Sequence, residues 1–157
     1  MKIKKTRQIK LGGVKIGGGA PVSIQSMINT DTKDISAAVK QIRGLEKIGC
    51  EIIRVAVKDK ESASAIKSIK KKISIPLEAD IHFDYRLAII AAESGAGGIR
   101  LNPGNIINPE HVKAVINACS KMKIPIRIGA NAGSLMGKYK SSGTSKKISG
   151  MVKSVMD

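Results

Sequence analysis

Five short apolar segments recur along the chain, each of a length that suits one buried strand. They occupy residues 22–27, 51–57, 76–82, 97–102 and 125–131, and their starts lie 29, 25, 21 and 28 residues apart. Such spacing is typical of units in which a strand is followed by a helix. The pattern therefore predicts a parallel sheet whose strands are joined by right-handed helical crossovers.

Amphipathic segments fill the intervals between these strands. The predicted helices run over about residues 33–48, 60–72, 85–94 and 109–121, and a fifth begins near residue 144. Residues suited to capping a helix precede the first four, namely Thr32, Asp59, Asp84 and Asn108. Gly49 and Gly95 follow the first and third helices, as is common at helix ends. Before the repeat, Gly12 and Gly13 separate two short segments that we predict to form a hairpin.

Polar residues interrupt four of the strands in their second halves, where a sheet covered on both faces should be apolar. They are Arg54, then Asp80 and His82, then Arg100 and Asn102, and finally Arg127 and Asn131. Residues two apart on a strand point to the same face, so each pair shares one side of the sheet. The alternate residues Ile81, Leu101 and Ile128 are apolar and are expected to face the helices.

These polar strand ends favour a closed barrel over an open sheet. An open sheet places its ligand mainly at one switch point, whereas a barrel gathers all its strand ends around one mouth. We therefore predict an α/β fold, a partial TIM-type (β/α) barrel with about five of eight βα units. The expected domains are residues 1–21, an N-terminal hairpin capping the barrel, and residues 22–157, the incomplete barrel.

Arg54, Arg100 and Arg127 would repel one another at a shared mouth unless an anion lay between them. A guanidinium stays protonated, and its planar fork matches phosphate oxygens in bidentate pairs. His82 adds a switchable donor. The predicted ligand is therefore a small, multiply charged anion, held by these residues together with Asp80, Asn102 and Asn131.

Purely structural roles are the alternative interpretation of the same residues. Asp80 could pair with Arg54 or Arg100 in a buried ion network, although one carboxylate cannot balance three arginines. His82 could have a purely structural hydrogen bond. Asn102 precedes Pro103 and Gly104, a context typical of a turn.

Composition and charge restrict the remaining classes of protein. The chain is 42% hydrophobic but only 2% aromatic, which predicts an aliphatic core. Its apolar runs are too short to span a membrane, and the basic N-terminus lacks the apolar stretch of a secretory signal, so we expect a cytoplasmic protein. Cys50 and Cys119 are far apart in the sequence and indicate neither a disulfide framework nor a metal site. The net charge of +16 keeps a nucleic-acid-binding module as an alternative, but aromatic residues for base stacking are scarce.

Four motifs in order resemble one enzyme family. Residues 25–34 (QSMINTDTKD), 79–86 (ADIHFDYR), 100–106 (RLNPGNI) and 126–135 (IRIGANAGSL) are similar to segments of the 4-hydroxy-3-methylbut-2-enyl diphosphate synthases. These are iron–sulfur enzymes of the methylerythritol phosphate route to isoprenoids. The resemblance extends from about Thr6 to Leu135, and it favours this family over another phosphate-binding barrel such as a pterin-binding synthase.

The resemblance implies a TIM-type barrel that holds 2-C-methyl-D-erythritol 2,4-cyclodiphosphate and opens its ring by two-electron reductive dehydration. The family's diphosphate contacts match Arg54, His82, Arg100 and Arg127, and further pocket positions match Asp80, Asn102 and Asn131.

The resemblance also implies a cofactor and partners. A [4Fe-4S] cluster receives electrons from flavodoxin or ferredoxin, and two subunits form a homodimer. The family's cluster ligands belong to a C-terminal iron–sulfur domain that we expect to be absent from this chain. Cys50 and Cys119 do not match those ligands. We therefore interpret the chain as an N-terminal fragment and expect no turnover from it alone, no nucleic-acid or membrane partner, and no metal site of its own.

Overall fold

Among the residues that its structure describes, the chain contains two β-sheets. The structure is a computed structural model that describes residues 6–130, 148–149 and 151–153. The strands are β1 (Ile9–Leu11), β2 (Val14–Ile16), β3 (Gln25–Met27), β4 (Ile52–Val57), β5 (Leu77–Ile81), β6 (Gly98–Leu101) and β7 (Ile126–Ile128). The helices are α1 (Ile35–Lys47), α2 (Lys60–Lys70), α3 (Tyr85–Glu93) and α4 (Pro109–Met122).

The predicted hairpin is formed by β1 and β2, which pair antiparallel around Gly12 and Gly13. Gly12 has a φ of +57°, and a Cβ there would lie 2.7 Å from the Cβ of Pro76. Glycine is therefore required at this turn, both for its backbone conformation and for its close approach to the start of β5. Leu11, which is buried, lies against Gly97 and Gly98 at the start of β6. The hairpin thus lies against the amino ends of β5 and β6, and the predicted cap over the whole barrel stays a prediction.

The other five strands form one parallel sheet in the order β3-β4-β5-β6-β7. Spatial order follows chain order, with no reversal of the kind that marks a doubly wound sheet. The helices pack next to one another in sequence, α1 on α2, α2 on α3 and α3 on α4. This is the arrangement of successive units in a barrel, so the predicted partial TIM-type fold is confirmed.

The hydrophobic core lies between the helices and one face of this sheet. Ile53, Val55, Ile81 and Ile99 are fully buried there, together with α2 residues such as Ile66. Helix periodicity and strand alternation bring these side chains together, because both present apolar residues to the same layer. Cys50 and Cys119 belong to this core, and burial raises the pKa of the Cys119 thiol.

Three of the four predicted helix caps are confirmed. Asp59, Asp84 and Asn108 precede α2, α3 and α4, and each side chain accepts a hydrogen bond from a backbone N–H of the first turn. The prediction of Thr32 as the cap of α1 is wrong. Asp34 caps that helix, whereas the Thr32 hydroxyl donates to the carbonyl oxygen of Ala56 at 2.7 Å.

Several predicted elements are longer than the observed ones. The first parallel strand begins at Gln25 rather than at residue 22, and Val22 is almost fully exposed. The last described strand ends at Ile128. Of the fifth predicted helix, residues 148–149 and 151–153 are helical, and the rest of that segment lies outside the described residues.

Candidate functional site: the inner face of the sheet

The face of the parallel sheet that points away from the helices carries most of the predicted polar residues. Strand register aligns Arg54 with Glu78, Asp80 with Arg100, and Arg100 with Arg127. Because registered residues in a parallel sheet share a face, these side chains all lie on one side. We call this side the inner face, and its members in register are Gln25, Met27, Ile52, Arg54, Ala56, Glu78, Asp80, Gly98, Arg100 and Arg127.

Asp80 is the centre of an ion cluster near the carboxyl ends of β4, β5 and β6. Its Oδ1 lies 3.0 Å from Nη1 of Arg100, and its Oδ2 lies 3.6 Å from Nε of Arg54. The Asp80 side chain is only 6% exposed, so this carboxylate is held largely out of water. The structure thus brings together two of the three predicted arginines, and it also confirms the predicted pairing of Asp80 within an ion network.

Arg100 is oriented by a second acceptor on the neighbouring strand. Its Nη2 donates to the carbonyl oxygen of Gly129 at 2.8 Å, just beyond β7. A Cβ on Gly129 would lie 2.8 Å from Nε of Arg100, closer than side chains tolerate. The carbonyl of Gly129 therefore orients this guanidinium, and the absence of a Cβ at Gly129 leaves the space that the guanidinium occupies. This role was not predicted from the sequence.

Arg127 lies on the same face but turns to a different carboxylate. Its Nη1 is 3.2 Å from Oε2 of Glu78 and 2.5 Å from Oε1 of Gln25, and Nε2 of Gln25 donates to Glu78 at 2.9 Å. The sequence interpretation omitted Glu78 and Gln25. The parity rule could have identified Glu78, since it lies two residues before Asp80 and so points to the same face.

Two carboxylates therefore face the three arginines, not one as predicted. Glu78 and Asp80 leave a single positive charge among Arg54, Arg100 and Arg127. The three guanidinium groups therefore repel one another less than predicted from the sequence, because the two carboxylates offset most of their charge. The remaining positive charge, and the guanidinium donors not engaged with carboxylates, still suit an anion.

His82 and Asn102 follow the ends of β5 and β6. His82 is half-buried, its ring meets that of Phe83 edge-on, and its carbonyl oxygen accepts from Nδ2 of Asn105 at 2.6 Å. Asn102 is buried, and its Oδ1 accepts from the backbone N–H of Gly104 at 3.0 Å. The turn-forming interpretation of Asn102 is thus confirmed. The predicted site residue Asn131 lies outside the described residues.

The described part of the chain contains no group of side chains suited to ligate a metal ion or an iron–sulfur cluster. No group of three or more His, Cys, Asp or Glu side chains among residues 6–130, 148–149 and 151–153 could hold a metal ion. Cys50 and Cys119 are buried on the helix side of the sheet, away from the inner face. These residues do not fit a cluster with cysteine ligands. No helix in the same ranges is long and apolar enough to cross a membrane.

A parallel sheet with helices on one face, and with charged groups at its carboxyl ends on the other, defines a TIM-barrel protein whose mouth is polar. Comparison with known families agrees. The chain belongs to the GcpE TIM-barrel domain family, which matches residues 6–157. The resemblance noted in the sequence is thereby confirmed at the level of the family.

Curated relatives are similar over most of this chain. One from Dehalococcoides mccartyi strain CBDB1 is 57% identical over 132 residues, which cover 84% of this chain and 38% of the relative. Another from Caldanaerobacter subterraneus subsp. tengcongensis is 60% identical, with 84% and 37% covered. A third from Caldicellulosiruptor saccharolyticus is 59% identical, with 87% and 40% covered. Each is named 4-hydroxy-3-methylbut-2-en-1-yl diphosphate synthase (flavodoxin), and the chain spans about two fifths of their length.

Proposed function

We propose that this chain supplies the substrate-binding barrel wall of a 4-hydroxy-3-methylbut-2-enyl diphosphate synthase. The substrate would be 2-C-methyl-D-erythritol 2,4-cyclodiphosphate, whose ring is opened by two-electron reductive dehydration. The observation that carries the proposal is the Asp80 cluster, in which guanidinium groups from β4 and β6 meet at the carboxyl ends of the strands. The names of relatives that are 57–60% identical support the same assignment.

Each residue of the cluster has a role that follows from its contacts. Arg100 is held by Asp80 and Gly129, so its orientation is set before a ligand arrives. A preorganised guanidinium loses little freedom when it binds a phosphate group. Arg54 is more exposed and less tightly paired, so it can turn toward the ligand. His82 adds an imidazole hydrogen-bond donor at the end of β5.

The electron chemistry requires groups other than the described residues. The relatives' names specify flavodoxin, and we extend that donor to the reaction in which this chain takes part. A [4Fe-4S] cluster would deliver the electrons, but the described residues do not provide its ligands. The contribution of this chain is thus to bind and orient the cyclodiphosphate. A homodimer and a cytoplasmic location stay predictions.

Isothermal titration of the full chain with the cyclodiphosphate tests this proposal. We expect binding at least about tenfold tighter than that of inorganic phosphate, a difference of roughly 1.4 kcal/mol. Arg100→Lys should lose most of this preference, because an ammonium cannot reproduce the planar fork that contacts Asp80 and Gly129. Arg43→Lys is the matched control, since Arg43 lies on α1 and donates to the carbonyl of Lys72.

Two results would contradict the proposal. One is equal affinity for phosphate and cyclodiphosphate, which would reduce the cluster to a structural ion network. The other is tight binding of duplex DNA that falls steeply with salt and displaces the small ligand, as expected of a basic nucleic-acid-binding surface with a net charge of +16.

A further inference from the structure

Arg100 and Arg127 are neighbours in register, but their guanidinium groups occupy different levels of the inner face. Arg100 stays at the level of its own backbone, where it contacts Asp80. Arg127 instead reaches Glu78, which is two residues nearer the start of β5 than Asp80. At about 3.3 Å per strand residue, the backbone positions of Glu78 and Asp80 are separated by roughly 7 Å along the strand.

The two partners in the Arg127–Glu78 pair differ sharply in exposure. The side chain of Glu78 is 1% exposed, whereas that of Arg127 is 52% exposed. Glu78 also keeps a second donor, Nε2 of Gln25 at 2.9 Å, that does not depend on Arg127. Glu78 is therefore the fixed member of the pair, and Arg127 is the member that can leave.

We propose that Glu78 is a positioning residue that competes with the incoming diphosphate for the guanidinium of Arg127, an inference that rests on the proposed function. In the free protein Glu78 and Gln25 hold the guanidinium below the mouth. A diphosphate bound at Arg54 and Arg100 extends far enough to attract it, and Arg127 then turns toward the level of Asp80, where its own backbone already lies. Glu78 remains bonded to Gln25.

The charges on the inner face explain why such competition is useful. With Arg127 beside Glu78, the Asp80 cluster contains only two guanidinium groups around one carboxylate. Three free guanidinium groups at one level would repel one another in the absence of ligand. Placing the third on a separate carboxylate removes that repulsion, and the charge becomes available when an anion brings compensating charge.

A double-mutant cycle with inorganic pyrophosphate as the probe tests the competition. Glu78→Gln keeps the shape and one acceptor oxygen but removes the charge that attracts Arg127, so pyrophosphate should bind to this variant roughly three- to tenfold more tightly than to the wild-type chain. Arg127→Gln should bind more weakly, and adding Glu78→Gln to it should have no further effect. Inorganic phosphate is the control ligand, since its single phosphoryl group spans less than pyrophosphate of the roughly 7 Å between the backbone levels of Asp80 and Glu78.

A second measurement does not depend on altering a buried residue. The Nε resonance of Arg127, assigned by its loss in Arg127→Lys, should shift when the wild-type chain is titrated with pyrophosphate. That readout would stay unchanged if the Arg127–Glu78 pair were only structural.

The outcomes separate this inference from the proposed function. Tighter binding by Glu78→Gln that disappears in the Arg127→Gln background, with a shifted Arg127 resonance, supports the competition. Wild-type binding of pyrophosphate with an unmoved resonance, or with additive effects of the two substitutions, overturns the competition and leaves the proposed function intact. Failure of the wild-type chain to bind either pyrophosphate or the cyclodiphosphate overturns both.

Discussion

The two faces of the parallel sheet are built from alternate residues of the same strands, yet one face is apolar and the other carries paired charges. On the helix side, Ile53, Val55, Ile81 and Ile99 are fully buried among apolar neighbours. On the inner face, alternate positions carry carboxylates and guanidinium groups that are paired across strands. One face thus provides the hydrophobic free energy of folding, and the other provides charge held in a fixed pattern.

Substitutions on the two faces should therefore have different effects. Changes on the helix side should lower the free energy of unfolding, and no ligand should compensate specifically for them. Changes on the inner face should alter anion binding, and an anion should offset their cost in stability.

Ile53→Ala should cost about 2–5 kcal/mol of unfolding free energy, because it opens a cavity in the packed layer between β4 and the helices. Urea denaturation followed by circular dichroism measures this loss. Ile48→Ala is the control, since Ile48 is 80% exposed at the end of α1 and should change little. A loss well below 1 kcal/mol for Ile53→Ala would mean that the helix side does not dominate stability.

Asp80→Asn should cost roughly 1–3 kcal/mol, because Arg54 and Arg100 lose a shared charged acceptor. Pyrophosphate should stabilise this variant more than it stabilises the wild-type chain, since the anion takes over the role of the carboxylate. Unfolding midpoints with and without pyrophosphate measure both effects. Equal stabilisation of the two chains would contradict an anion site at Asp80.

Gly129→Ala should weaken pyrophosphate binding about tenfold, or roughly 1.4 kcal/mol, because the new methyl group displaces the guanidinium of Arg100. Titration calorimetry measures the change. Gly44→Ala is the matched control, because a Cβ there meets nothing within 4 Å, and its binding should be unchanged. Similar affinities for the two variants would show that the orientation of Arg100 is unimportant.

Asp84→Asn should produce the smallest effect, a loss of stability at neutral pH that disappears in acid. Hydrogen bonds from Arg86 hold the pKa of this carboxyl below its ordinary value. Its stabilising contribution is therefore complete above that ordinary value and is lost as the pH falls through the lower folded-state pKa. Urea midpoints measured from neutral pH downward should fall less steeply for Asp84→Asn than for the wild-type chain. Identical slopes would contradict this assignment.

Alternation and spacing along the strands predicted the fold well. The periodic strand segments predicted the parallel sheet, and the caps Asp59, Asp84 and Asn108 predicted the starts of three helices. The cap of α1 was mistaken because Thr32 and Asp34 are both suitable residue types. Only the tertiary structure shows that the Thr32 hydroxyl donates to the carbonyl oxygen of Ala56 on β4.

The sequence predicts which site residues share a face of the sheet, but it does not predict which carboxylate each arginine contacts. Alternation placed Arg54, Asp80 and Arg100 on one face, as observed. It could not show that Arg127 turns to Glu78, because a long side chain can reach either of two levels and neighbouring charges decide between them. The role of Gly129 depends on a contact between two strands, which no local pattern contains.

A crystal structure of the full chain with bound pyrophosphate would show whether the Asp80 cluster is an anion site. We expect the anion at the carboxyl ends of β4 and β6, within hydrogen-bond distance of the guanidinium groups of both Arg54 and Arg100. A pyrophosphate bound only by surface lysines, with the Asp80 cluster unchanged and unoccupied, would contradict it.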